Sequence, residues 1–472
     1  MLEMSSKKFF IQPIKNRFFL VFISIHLAFI FIFDKLFGKS FFLAPDEKGY
    51  LQVAEDIYGA EYDYVQWGWP WRTPVWFLQI LYSPFKLMNN LGLTDLIAFR
   101  INILIYTSIS LYLVLCVINA TRFIPQPRFT RNIGVATFLI PTFFLWGSLG
   151  LREGFLFLAF SLLGSGIFLI ELKKTRLGFL LLMLGCILLA YTKDYMFLIF
   201  LFSIALLSII RIIQRRGYGI SLVCYLIAPL APILITPALT IGLHDQVTQI
   251  VFGEEVPRVN LSGNSTGGEV GAWGTERGLV ESCVNNNAAS KILELIKPSE
   301  KITIDESCAY SDASEPKKGQ ELLTGGEAKW QSSRAARLSL EPAHVTNPKS
   351  IAIQLFKVIV LPAPFIDNGS SILNVASWES WIWILLILLP LLFISMDLLL
   401  KNRISDLRIW ASIMLFGVLL SSALTEINVG TMVRHRSLIL IPCLFVILTT
   451  DFSKYNLANL RKSAFGFSRR GD

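Results

Sequence analysis

Long apolar runs recur along this chain, and short basic segments separate many of them. A helix needs roughly 20 mostly apolar residues to cross the hydrocarbon core of a bilayer, and several runs reach that length. Charged residues make up only 16% of the sequence, whereas a soluble domain carries about 25%. Because irregular backbone cannot lie exposed to lipid, such a chain must cross the membrane as helices. The sequence therefore predicts an all-α polytopic membrane protein.

The apolar runs predict about ten transmembrane helices. The run 133–170 is too long for one span and breaks at 147–154, so we interpret it as two spans joined by a tight turn. The run 351–361 is too short to span and is expected at the membrane interface. The other predicted spans are 18–33, 97–118, 177–191, 195–213, 220–243, 381–400, 407–425 and 437–450.

Basic residues give the predicted topology an orientation. Lys and Arg concentrate in 119–131, 171–176, 211–216, 401–408 and the C-terminal tail. The positive-inside rule places these segments, and both chain ends, in the cytoplasm. The chain then divides into a transmembrane module (1–243) with a first outer loop (38–96), a large outer loop (244–380), and C-terminal helices with a basic tail (381–472). This layout is typical of an inner membrane protein of bacteria, with the outer loops in the periplasm.

The formal net charge of +9 does not indicate nucleic-acid binding. The basic residues follow the ends of spans and form no recognisable nucleic-acid module. Cys116, Cys186, Cys224 and Cys443 lie in apolar runs and are expected to pack as small apolar residues. Cys283 and Cys308 lie in the large outer loop, where a disulfide and two free thiols both remain open.

Amphipathic helices are predicted in the first outer loop. A short one begins near Asp46 and Glu47, and a second amphipathic stretch covers 71–91. Acidic residues in a first turn complement the helix dipole, which would by itself explain Asp46 and Glu47. Their position beside the first span favours a functional role at the membrane surface. In the first helix, apolar residues recur at helical spacing, namely Tyr50, Val53, Ala54, Ile57 and Tyr58.

The predicted topology brings charged residues from separate segments to the outer membrane boundary. Ionisable residues at membrane depth are costly and often functional. Arg152 with Glu153, or Lys193 with Asp194, would alone be explained as a polar turn between two helices. The full set is Asp46, Glu47, Arg152, Glu153, Lys193, Asp194, Glu426, Arg434, His435 and Arg436.

The cluster Arg434, His435 and Arg436 is harder to explain as a turn. Cationic residues on the outer side run against the positive-inside bias. Guanidinium groups match the geometry of phosphate oxygens, so the cluster favours a phosphate-binding site. The alternative is an anchor that reaches the headgroups of anionic membrane lipids.

This layout resembles the GT-C glycosyltransferase superfamily, and within it the protein O-mannosyltransferases and aminoarabinose transferases. The resemblance covers 45–200. It rests on the pair Asp46 and Glu47 after the first span, a carboxylate in the outer turn between spans three and four, and Thr192-Lys193 in the next outer turn. Arg72-Thr73-Pro74 and Arg100 fit the family's first outer loop loosely. The segments 428–431 and 434–436 are similar to polysaccharide-locus members of the family.

The resemblance implies a GT-C fold and transfer of a sugar from a polyprenyl-phosphate-linked donor to a glycan or lipid acceptor. Asp46 would be the catalytic base. Glu153 matches the second acidic position, where the family more often has Asp, and would orient the acceptor or a metal. The residues implied to bind substrates are Glu47, Arg72, Arg152, Lys193, Arg434, His435 and Arg436. No cofactor is demanded by the sequence, and a divalent metal remains open.

Two other classes of membrane protein compete with this interpretation, and a third alternative, a sensor or scaffold, would be expected to carry a soluble signalling domain. An O-antigen-type polymerase is expected to place arginine motifs in two long outer loops, whereas Arg258 and Arg277 lie in one. A transporter of lipid-linked oligosaccharides is expected to show internal repeats and charges near the membrane midplane. Here the charges gather at one face, and Asp397 is the main exception.

Overall fold

The computed structural model describes residues 17–37, 45–58, 69–70, 72–121, 136–214, 219–237, 239–240, 243, 347–362, 371–399, 404–425 and 429–451. All regular secondary structure in these ranges is helical, which confirms the predicted all-α class for the described part of the chain. Several residues singled out from the sequence lie outside these ranges, namely Cys283, Cys308, Arg258, Arg277 and Glu426, together with 244–346 of the large outer loop.

The described helices follow one another along the chain, and the longest interval between them, 236–347, separates α11 from α12. Two short 3-10 helices, Thr137–Leu139 and Ser437–Ile439, precede α6 and α16 respectively. The α-helices of the described ranges are α1 (Arg17–Phe37), α2 (Pro45–Asp56), α3 (Val75–Leu81), α4 (Ser83–Asn90), α5 (Asp95–Ala120), α6 (Pro141–Ser148), α7 (Glu153–Glu171), α8 (Thr175–Thr192), α9 (Asp194–Ile213), α10 (Ile220–Ile227), α11 (Leu230–Ile235), α12 (Pro348–Val360), α13 (Ser371–Leu399), α14 (Asp406–Thr425), α15 (Val429–Arg436) and α16 (Leu440–Leu448).

In the described part of the chain, seven helices are long and apolar enough to cross a membrane, namely α1, α5, α7, α8, α9, α13 and α14. They coincide with seven of the predicted spans, so the polytopic membrane class is supported. The other three predicted spans fall on shorter helices. Pro141 begins α6, and Pro229 separates α10 from α11, because proline cannot donate the backbone hydrogen bond that would continue a helix. Whether these three segments cross the membrane stays a prediction.

Helix α7 lies at the centre of the bundle, and all but a few of its residues are buried. It packs against α5 on one side and α8 on another. A Cβ atom added to Gly166 would lie 2.8 Å from the backbone oxygen of Gly178, so α7 and α8 approach each other backbone to backbone. Close contact through small residues is a common way for membrane helices to associate. Helix α16 is also buried along its whole length.

The described part of the segment 38–96 contains the expected helices. Helix α2 carries Asp46 and Glu47 in its first turn, as predicted. Its apolar face is buried, and Lys48 and Asp56 lie exposed on the other face. The second predicted stretch, 71–91, contains two helices, α3 and α4. Pro84, in the first turn of α4, favours a new helix start there.

The antiparallel helices α7, α8 and α9 define two ends of the bundle. The start of α7, the end of α8 and the start of α9 lie together at what we term the Asp46 end. We term the opposite end the Asp406 end. Two ion pairs lie there, one between Arg211 and Asp406 and the other between Arg408 and Asp397. Glu171 accepts a hydrogen bond of 2.7 Å from the backbone N of Asp406. The buried carboxylate of Asp397 is therefore paired with a cation within the protein.

Four cysteines have the environment expected from their apolar runs. Cys116, Cys186, Cys224 and Cys443 are buried and free. Each therefore behaves as a small packing residue, as the sequence predicts.

Candidate functional site

Glu47 fixes the position of the helix that carries Asp46. Arg100, in α5, donates from Nε to Oε1 of Glu47 at 2.7 Å and from Nη2 to Oε2 at 2.9 Å. The backbone N of Gly150 donates to Oε1 at 3.0 Å. Both charged side chains are almost completely buried. This two-point pair joins α2, α5 and the turn before α7, so the geometry suits an anchor better than the predicted contact with substrate.

The turn before α7 has no room for a side chain at Gly150. A Cβ atom there would lie 2.1 Å from Cε1 of Phe99 and 3.3 Å from Cγ of Glu47. We expect Gly150→Ala to lower the free energy of unfolding by about 1–3 kcal/mol, the usual cost of overpacking. Denaturation of the purified protein measures this effect. Gly219→Ala is the control, because the added Cβ would have no atom of the described residues within 4 Å. Equal stability of the two variants would contradict the prediction.

Arg434 joins the two carboxylates predicted to be catalytic. Its Nη1 lies 2.6 Å from Oδ2 of Asp46, and its Nε lies 2.5 Å from Oε1 of Glu153. Asp46 and Arg434 remain partly exposed, with 14% and 12% of their side chains accessible, whereas Glu153 is buried. Burial disfavours the charged guanidinium, but Glu153, Tyr50 and Asp46 raise the pKa of Arg434 well above its ordinary value. The guanidinium is therefore charged at neutral pH.

Lys193 and His435 form a second pair beside Arg434. The ammonium group of Lys193, at the start of α9, donates to Nε2 of His435, so this ring carries its proton on Nδ1. The same ammonium lies 4.8 Å from the centre of the Tyr195 ring, within range of a cation–π interaction. Lys193 also interacts electrostatically with Glu153. The two pairs are thus neighbours in one site.

Arg152 connects the end of α8 with the aromatic residues of the first outer loop. Its guanidinium carbon lies 5.4 Å from the centre of the Tyr50 ring and 5.9 Å from that of the Trp69 ring. Its Nη1 donates to the backbone oxygen of Thr192 at 3.3 Å. These contacts place the cation beside Glu153, its neighbour in sequence. A fixed positive charge therefore lies next to the site.

Arg72 lies at the same end of the bundle. Its side chain is largely buried, and the adjacent Thr73 donates to the backbone oxygen of Tyr191 at 2.8 Å. This bond ties the segment after Trp69 to the end of α8. Sequence analysis singled out Arg72 for substrate binding, and that role stays a prediction.

The side chains of Arg434, His435 and Arg436 point in three different directions. Consecutive residues of a helix point about 100° apart, because a turn contains 3.6 residues. Arg434 contacts Asp46 and His435 contacts Lys193, whereas Arg436 is buried and donates to the backbone oxygen of Leu361 at 2.8 Å. Arg434 and His435 lie in the site, but the contacts of Arg436 lie outside it. A single phosphate cluster of three cations is therefore not the arrangement observed.

The site brings three cations together. Arg152, Lys193 and Arg434 lie beside the carboxylates of Asp46 and Glu153, and Asp194 follows Lys193 in the chain. Within the described ranges, no group of three or more His, Cys, Asp and Glu side chains is placed to hold a metal ion. A guanidinium already lies between the two carboxylates that a divalent cation would need. The arrangement therefore suits binding of a phosphate beside a general base.

Comparison with known proteins finds no match for this chain among family models, curated proteins or solved structures.

Proposed function

We propose that this protein is a membrane glycosyltransferase of the GT-C type. It transfers a sugar from a polyprenyl-phosphate donor to a hydroxyl group of a glycan, lipid or other envelope acceptor. The proposed location is the bacterial inner membrane, with the Asp46 end of the bundle facing the periplasm. The donor's lipid tail would lie among the membrane helices, which accounts for a reactive site at the end of a transmembrane bundle.

The proposal rests mainly on one observation. Arg434 contacts both Asp46 and Glu153, with the pair of Lys193 and His435 beside it. A partly exposed carboxylate next to fixed cations is what transfer from a phosphate requires. The carboxylate accepts a proton from the acceptor, and the cations stabilise the negative charge that develops on the leaving group.

The reaction can be written with these groups. The acceptor hydroxyl oxygen attacks the anomeric carbon of the donor sugar, and its proton passes to the carboxylate of Asp46. The bond between the anomeric carbon and the phosphate oxygen breaks, and its electron pair stays on the phosphate. Arg434 and Lys193 stabilise that charge. The products are the glycosylated acceptor and a polyprenyl phosphate.

Glu153 has a different role from Asp46. Its Oε1 accepts from Arg434, whereas its buried Oε2 has no hydrogen-bond partner among the described residues. Oε2 is therefore suited to accept a hydrogen bond from an acceptor hydroxyl. Glu153 would thus orient both Arg434 and the acceptor. Glu47 would act indirectly, by holding α2 against Arg100.

Transfer is expected to be independent of divalent metal ions. The fixed cations of Arg434 and Lys193 provide the charge that a metal would otherwise supply to the leaving phosphate. We expect activity of the purified protein in liposomes to change by less than about twofold after treatment with EDTA. A metal-assisted transferase would instead lose several kcal/mol of transition-state stabilisation, and its activity would fall far more. A large loss that is restored by Mg²⁺ or Mn²⁺ would contradict this prediction.

Lipid and glycan profiles of cells lacking the protein test the proposed function. Mass spectrometry is expected to show accumulation of a polyprenyl monophosphate sugar and loss of one sugar from an envelope glycan or lipid. Complementation with the wild type should reverse both changes. Accumulation of single repeat units on a lipid diphosphate would instead indicate a polymerase. An unchanged glycan profile would refute the proposal.

A further inference from the structure

A second set of buried polar contacts lies on the side of α15 that faces away from the site. Arg436 donates from Nη1 to the backbone oxygens of Leu361 at 2.8 Å and Ile359 at 3.4 Å, at the C-terminal end of α12. Its guanidinium carbon lies 5.7 Å from the centre of the Trp383 ring in α13. Trp383 donates from Nε1 to Glu379 at 3.4 Å. We call Glu379, Trp383 and Arg436 the Trp383 cluster.

The Trp383 cluster is also connected to the helix that leads to Glu153. Glu379 accepts a hydrogen bond of 2.8 Å from the backbone N of Thr142 and another from its hydroxyl group. Thr142 is the second residue of α6, so Glu379 caps the start of that helix. Helix α6 ends at Ser148 and continues through a four-residue turn, 149–152, into α7, which begins at Glu153.

The cluster therefore touches both elements that carry the site. Arg436 belongs to the same helix as Arg434 and His435, and Glu379 fixes the helix before Glu153. The charges of Arg436 and Glu379 also interact with each other. Burial lowers the pKa of Arg436 to about 10, which leaves it charged at neutral pH. The pair thus joins two halves of the site through contacts that no substrate would touch.

We propose that Arg436 and Glu379 are positioning residues that together set the placement of Arg434 and His435 relative to Glu153 and Lys193. This proposal depends on the proposed function only for the reaction that the site performs. Displacement of a catalytic group by about 1 Å can lower a rate about 10²-fold, so this pair would control catalysis without contacting substrate. It also links the site to α12, which follows the large outer loop in sequence.

Chemical labelling of His435 tests the proposal without any substrate. Diethyl pyrocarbonate reacts with an unprotonated imidazole nitrogen, and in His435 that nitrogen, Nε2, accepts the hydrogen bond from Lys193. Loss of the placement of α15 would free it. The chain has four histidines, of which His26 is completely buried in α1 and reports general unfolding. Peptide mass spectrometry measures the two labelling rates separately in the full-length protein in detergent.

We expect Arg436→Gln to raise the labelling rate of His435 roughly threefold or more through local opening, while His26 stays unlabelled. Arg436→Lys keeps the charge, so His435 should be labelled more slowly in this variant than in Arg436→Gln. The matched control is Arg408→Gln, which removes a buried cation at the Asp406 end and should leave His435 labelling at the wild-type rate.

The relation between the two positioning residues is tested by a double variant. Glu379→Gln should raise His435 labelling less than Arg436→Gln does. The double variant should show no further rise, because interacting residues are not additive. The proposal is refuted if His435 in Arg436→Gln is labelled at the wild-type rate, or if the labelling rate of His26 rises in parallel. It is also refuted if the effects of Arg436→Gln and Glu379→Gln on His435 labelling are additive. These outcomes do not depend on the glycan profile, so failure of the proposed function is distinguished from failure of this inference.

Discussion

Replacing Asp46 with asparagine is expected to lower sugar transfer by about 10²–10⁴-fold, the usual contribution of a general base. Asparagine has nearly the same size, and its side-chain oxygen can still accept from Arg434. It cannot take the proton of the acceptor hydroxyl. The variant should therefore reach the membrane at the wild-type level but fail to restore the envelope glycan of cells lacking the protein. The measurement is the glycan profile, made at matched protein levels.

Asp56→Asn provides a matched control for Asp46→Asn. Asp56 belongs to the same helix, α2, but lies exposed on its polar face. The substitution removes the same charge from the same helix, so it should restore the glycan fully. If Asp46→Asn restores the glycan equally well, Asp46 is not the base. The polymerase and transporter interpretations would then become the better explanations.

The gathering of charges at one end of the bundle follows from the sequence alone. Hydrophobic length gives the spans, and the positive-inside rule gives their direction. Together they place Asp46, Glu153, Lys193 and the segment 434–436 at the same membrane boundary. The structure brings Asp46, Glu153 and Arg434 into direct contact. Topology therefore predicted the neighbourhood of the site.

The direction of each side chain did not follow from the sequence. Glu47 is adjacent to Asp46, yet it pairs with Arg100 inside the protein, 53 residues away in the chain. Arg436 is two residues from Arg434 and contacts a different part of the bundle. Spacing along one helix fixes the angles between neighbours but not which neighbour faces a given partner. That choice depends on how the helices pack.

The contribution of the pair of Glu47 and Arg100 to stability can be measured with apolar substitutions. Glu47→Leu leaves Arg100 buried without its counter-ion, and Arg100→Leu does the same to Glu47. Each is expected to lower the free energy of unfolding by about 3–5 kcal/mol, because an uncompensated buried charge is costly. Titration of the detergent-solubilised protein with a denaturing detergent measures the change. Lys48→Leu, at an exposed position of α2, should stay within about 0.5 kcal/mol of the wild type.

The double variant separates an anchor from a pair that contributes little. With both charges replaced by leucine, no buried charge is left uncompensated by its partner, and the backbone N of Gly150 loses its acceptor at a cost of about 1–3 kcal/mol. The double variant should therefore be more stable than either single variant. If the costs of the two single substitutions simply add in the double variant, the two side chains act independently, and the buried pair is not what fixes α2.

The activity of the double variant then tests the role of Glu47. A stable double variant that still restores the glycan would show that Glu47 only positions α2. A stable but inactive double variant would show that Glu47 takes part in substrate binding or catalysis.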